Sequence, residues 1–173
     1  MDRSSGRVDA QVLDGAPEGL QQAPGRASLL AGLLGPQDVL LDVQVKDRRA
    51  LFELVDAHLA HQHGLPKGCA ALGLGNRERI GSTGLGGGVA VPHARLRQLG
   101  HVCLLYVRLA KPIDFEAPDA QPVKDVLVLL VPEKACQQHL DILADMMHLL
   151  PNRRFRQRLH QCQTAEEVRQ LLA

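Results

Sequence analysis

The chain has 173 residues with Lys+Arg 20 against Asp+Glu 19, a formal net charge of +1, and an apolar fraction of 45%, the make-up of one soluble domain with a real core. Balanced charge excludes affinity built on many neutralised phosphates, and 2% aromatics without Trp exclude base-stacking platforms, so no nucleic acid partner is expected. Cys69, Cys103, Cys136 and Cys162 form no CxxC pair, no export signal opens the chain, and no apolar run could span a bilayer, so reduced thiols, a cytoplasmic location and no membrane insertion are expected.

Residues 1–25 are polar and punctuated by Gly and Pro, and read as a mobile leader ahead of a domain at 26–173. ASLLAGLL predicts a short helix broken at Gly35-Pro36, and DVLLDVQV a strand. Apolar spacing at Leu51, Leu54, Val55, His58 and Leu59 predicts an amphipathic helix over 47–61. A second helical stretch ends near Arg79, weakened by Gly73 and Gly75. The glycine-dense GSTGLGGGVAVPHARL turns briefly strand-like, and two strands follow, HVCLLYVRLA and the continuous apolar DVLVLLVP. The longest helix is predicted over 133–150, then NRRFRQRLHQC and TAEEVRQLLA as shorter helices, the last with a Thr164–Glu167 capping box. This order of elements gives an α/β sandwich, a single domain with a central mixed sheet flanked by helices.

The chemistry concentrates in RERIGSTGLGGGVAVPHARL, residues 77–96. Its glycines permit close approach of another group, and exposed N–H groups of such a turn form an anion-favouring nest. Ser82, Thr83, Gly84 and Gly86 are therefore the candidate phosphate-binding loop. Pro92 restricts the backbone beside His93, whose imidazole is substantially neutral near pH 7 and can attack phosphorus. Arg77 is the local cation with the fork geometry for phosphate oxygens. The GK[ST] ending of a P-loop and the GxGxxG spacing are both missing. On residue types alone, a plain glycine loop with a structural histidine fits as well.

The stretch resembles the signature of phosphotransferase-system IIA components of the fructose–mannitol type. KPIDFEAPDAQPVKDVLVLLVP followed by HLDILADMMHLL resembles the second half of that family, so the likeness runs from about residue 27 to 173, and it is closest to the nitrogen-regulatory branch. The resemblance implies that His93 is phosphorylated, that His139 in QQHLDIL is the second site histidine, and that Arg77 is the site arginine. It implies an HPr-like phosphocarrier protein as donor, and regulatory protein targets or a IIB domain as onward partners. No metal or nucleotide cofactor is implied, since the phosphoryl group arrives protein-bound. A sugar-transport role and a regulatory module with a vestigial site are the alternatives. Independently, His139 shares a helix face with Ile142, Leu143 and Met146, the end of a buried stripe. Gly73 and Gly75 depart from the family's better helix and are expected to loosen the presentation of Arg77.

Two clusters read as ordinary surface. His58, His61 and His63 are expected at a helix C-terminus facing its carbonyls and not on a metal. Arg153, Arg154, Arg156 and Arg158 are expected on a solvated face, with Phe155 and Leu159 turned inward.

Overall fold

A computed structural model describes residues 29–134 and 137–173. The expected leader at 1–25, the start of the first predicted helix, and residues 135 and 136 of the longest predicted helix, Cys136 among them, lie outside the described residues.

The apolar continuity of the two central strands sets the architecture. β5 (Cys103–Ile113) and β6 (Val123–Pro132) are antiparallel neighbours at the middle of a six-stranded mixed sheet. β1 (Val39–Val43) adds in parallel outside β5. On the other side β6 is flanked, along one edge, by β3 (Val89–Ala90) and then β4 (His93–Leu96), both parallel to it. Pro92 separates β3 from β4: it has no N–H to give, while its carbonyl accepts from Leu129 N at 3.0 Å. β2 (Gly84–Gly86) pairs antiparallel with β3.

Alternation of side chains divides the core into two halves. Leu105, Val107, Val126, Val128 and Leu130 face α2 (Arg48–His63) and α3 (Cys69–Ile80). Leu104, Tyr106, Leu127, Leu129 and Val131 face α1 (Leu29–Leu33), α4 (Gln137–Leu149), α5 (Arg153–Gln161) and α6 (Ala165–Leu172). Helix ends follow local chemistry. Asp47 accepts from Ala50 N at the start of α2, Gly64 closes it at φ 66°, and Thr164 with Glu167 forms the capping box of α6. Phe155 and Leu159 are buried, as their spacing predicts. The strand predicted from 101 begins at Cys103 and runs on to Ile113, because the pairing with β6 continues to Val123.

Three expectations are corrected. His58 and His63 do not face helix carbonyls: their Nε2 atoms both meet Oδ1 of buried Asp38 at 2.9 Å, and that carboxylate outcompetes a neutral carbonyl. Arg156 is not on a solvated face: its Nη1 donates to Leu150 O and Pro151 O, closing the end of α4. Gly73 is no loosening element. A Cβ there would lie 2.6 Å from Leu96 Cδ2 and 3.3 Å from Ala94 Cβ, so its absence lets α3 press onto β4.

Candidate active site

β4 pairs on one side only, with β6, and at its open edge a cleft of about 510 Å³ lies between α3 and α4. Arg77 and Ile80 line it from α3, His93 and Arg95 from β4, and His139 and Leu140 from α4. His93 and Arg95 share a face of the strand, while Ala94 and Leu96 between and beyond them pack under α3.

Both ring nitrogens of His93 have defined partners. Nδ1 lies 2.8 Å from the Val91 carbonyl, which can only accept, so Nδ1 carries the proton. Arg77 Nε donates to Nε2 at 3.3 Å, so Nε2 holds the lone pair and faces the cleft. Arg77 is itself steadied by Nη1 donating to Gly81 O at 2.8 Å. His139 is buried, 7% exposed, as its helix face predicts. Its Nε2 accepts from Arg95 Nη2 at 3.1 Å, since a guanidinium can only donate. Arg77, Arg95 and His139 thus line one cleft with a half-buried imidazole whose Nε2 carries a lone pair. The arrangement suits displacement at a multiply charged, oxygen-rich group.

The structure brings together His93, Arg77 and His139. It does not bring the glycine loop to them. Thr83 is buried, with its N–H donating to Glu78 Oε1 at 3.0 Å and its hydroxyl to Glu78 Oε2 at 2.6 Å. Ser82 Oγ donates to Phe115 O and accepts from Gly84 N at 3.0 Å. Gly84 is buried in β2, and Gly86, at φ 88°, closes against Asp119, which also takes the Gly87 N–H at 2.7 Å. The donors of Ser82, Thr83 and Gly84 are thus engaged inside the fold, and none of Ser82, Thr83, Gly84 and Gly86 lines the cleft that holds His93. Arg95 is the residue missed. Reading PHARL as a strand would have placed it two residues from His93 on the same face.

A larger groove, about 920 Å³, runs between α2 and α3. Its Arg48 pairs with both Glu78 and Glu116, and its lining residues include no histidine, cysteine, serine or threonine.

The family described as phosphoenolpyruvate-dependent sugar phosphotransferase system, EIIA 2, matches residues 33–173. The chain belongs to this family. As an EIIA protein it is a phosphotransfer component, in a family that takes phosphate from HPr-type proteins and passes it to IIB proteins. It is 33% identical over 144 residues to a nitrogen regulatory protein of Bradyrhizobium diazoefficiens, covering 83% of this chain and 94% of that one. The crystal structure of nitrogen regulatory protein IIA-Ntr from Neisseria meningitidis superposes with a TM-score of 0.80 at 35% identity, over 84% of this chain and 100% of that one. The mannitol IIA of Escherichia coli shares the fold, with a TM-score of 0.68 at 17% identity over 80% of this chain and 98% of that one. Among the described residues of this EIIA protein, no helix is long and apolar enough to cross a membrane.

Proposed function

We propose that this EIIA protein is a nitrogen-regulatory phosphocarrier whose Nε2 of His93 receives a phosphoryl group from an HPr-like protein. The observation that carries the reading is the fixed tautomer of His93, with Nδ1–H held by Val91 and the Nε2 lone pair turned into a cleft lined by arginines. In the transfer, the donor's phosphorus–nitrogen bond breaks and leaves its electron pair on the donor ring, while Nε2 forms the new bond in line. Arg77 releases Nε2 to the phosphorus and turns its N–H groups to the phosphoryl oxygens. The Val91 carbonyl stabilises the positive charge that appears on the His93 ring. Arg95 and His139 hold one another at the other wall and meet the charge spread on the equatorial oxygens.

Ile80 and Leu140, 85% and 51% exposed at the rim, offer apolar contact for a protein that docks over the cleft. A regulatory partner burying the rim would have to desolvate a dianion once His93 is phosphorylated, a penalty of several kcal/mol, and is expected to lose affinity more than tenfold. The likeness to nitrogen regulatory proteins, over more than four fifths of this chain, favours this role over sugar import. The test is uptake of labelled phosphate from a phosphorylated donor by wild type and His93→Ala. Acid-labile label on wild type and none on the folded variant is expected. Equal labelling of the two would end the assignment, and no labelling of wild type would make the module a binding protein with a spent site.

A further inference from the structure

Two strands away from β4, about 10 Å across the sheet and on its α2 side, a second set of ligating groups converges. His63 at the end of α2, His101 just before β5, and Cys103 at the start of β5 each present a ligand atom within 4.8 Å of the others. The imidazoles of His63 and His101 stand 5.9 Å apart, tilted by 47°. Cys103 is buried in the core cluster under α2 and α3. Behind His63 lies Asp38, 3% exposed, whose Oδ1 meets Nε2 of His63 and of His58.

We propose that His63, His101 and Cys103, supported by Asp38, form a zinc-binding site separate from the phosphoryl-transfer cleft. Thiolate plus imidazole is the donor mixture that selects zinc among the common divalent ions. Zinc–nitrogen bonds of about 2.0–2.1 Å and a zinc–sulfur bond of about 2.3 Å place tetrahedral donors roughly 3.3–3.8 Å apart. Donors already within 4.8 Å need to close by about 1 Å, which torsion of the exposed His101 side chain can supply. Charge also balances. When the sulfur–zinc bond forms, the Cys103 proton leaves to solvent, and the thiolate and the Asp38 carboxylate together neutralise the dication. Asp38 serves as fourth ligand or as the carboxylate that orients the His63 ring, the usual outer partner of a ligating imidazole. The ion would clamp the end of α2 and the Asp38 turn to the start of β5.

Spacing did not expose the set, since one ligand comes from the α2 histidines and two come from the entry to β5, nearly forty residues further on. The test is titration of the untagged, reduced, chelator-stripped full chain with Co²⁺ as a spectroscopic probe, followed by Zn²⁺. One equivalent is expected to give the absorption of tetrahedral cobalt with a thiolate charge-transfer band, bleached by zinc, and zinc is expected to raise the thermal midpoint. Cys103→Ser should abolish the charge-transfer band, His101→Ala should weaken binding at least tenfold, and His93→Ala should alter neither. A wild-type protein without the charge-transfer band would overturn the proposal. So would a band of full strength in Cys103→Ser, or unchanged affinity in His101→Ala, the variant that decides if the buried serine prevents folding. Binding lost in His93→Ala but kept in His101→Ala would move the ion to the transfer cleft and equally overturn it.

Discussion

Gly73 and Gly75 sit two residues apart in α3, and replacing each by alanine should move stability in opposite directions. Both substitutions gain about 0.8–1.0 kcal/mol of helix propensity. At Gly75 nothing lies within 4 Å of the added Cβ, so that gain should be kept nearly whole. At Gly73 the Cβ would stand 2.6 Å from Leu96 Cδ2, about 1 Å inside ordinary carbon contact. Leu96 is a core residue, 5% exposed, and it cannot swing away without losing its own packing. Ala94 Cβ at 3.3 Å has no torsion with which to retreat. Overpacking of this kind costs about 1–3 kcal/mol, leaving Gly73→Ala less stable than Gly75→Ala by about that amount. The consequence reaches the site: Arg77 lies one turn beyond Gly73, so lifting α3 from β4 draws its guanidinium away from His93. Urea unfolding of the two variants and single-turnover phosphate uptake form the assay. Slower uptake is expected for Gly73→Ala only. Equal stabilisation by both alanines, with uptake unchanged, would refute the claim that close approach at Gly73 positions Arg77.

Arg77→Gln should slow transfer about a hundredfold or more, as removal of one oxyanion donor does, and unchanged single-turnover rates would reduce it to a surface cation. Arg95→Gln and His139→Ala should each slow transfer while leaving labelling measurable, and because they touch, their effects should not add; strict additivity in a double-mutant cycle would argue against a shared role. Tyr106→Phe removes the hydroxyl that donates at 2.6 Å to Oδ1 of Asp125, a 2%-exposed carboxylate whose pKa burial raises, and should cost about 1–3 kcal/mol in denaturant unfolding; an unchanged midpoint would mean that His160, at 2.8 Å from the other oxygen, suffices. Asp119 is held below its ordinary 3.8 by the N–H groups of Gly87 and Gln121, so its bonds add stability above that pH and lose it as the pH falls through the lower folded value. The advantage of wild type over Asp119→Asn should therefore shrink below pH 4, and a gap independent of pH would contradict the carboxylate's part in holding the glycine loop.

The helices and the two central strands were legible because their period is local: Leu51, Val55 and Leu59 on α2, or Val126 to Val131 on β6, show their faces within a dozen residues. His139 was legible for the same reason. The fate of the glycine loop was not, because its donors are taken by acceptors supplied from elsewhere, the Phe115 carbonyl and the Asp119 carboxylate more than thirty residues on. Thr83 was closer to reach, since Glu78 is five residues away, but the sharp break of α3 at Gly81 is what folds the chain back onto it. Asp38 gathers His58 and His63 across 20 and 25 residues, a convergence that no single helix period displays. Gly73 read as a weakness on propensity and proved a packing requirement, since propensity knows nothing of the strand beneath.

The most direct measurement is the site of phosphorylation itself, read by ¹⁵N and ³¹P nuclear magnetic resonance on ¹⁵N-histidine-labelled protein after reaction with a phosphorylated HPr-like donor. One phosphorylated imidazole is expected, His93, with phosphorus coupled to Nε2 and with Nδ1 retaining the signature of a protonated ring nitrogen that donates a hydrogen bond to the Val91 carbonyl. Phosphorus on Nδ1, or on His139 in place of His93, would contradict it.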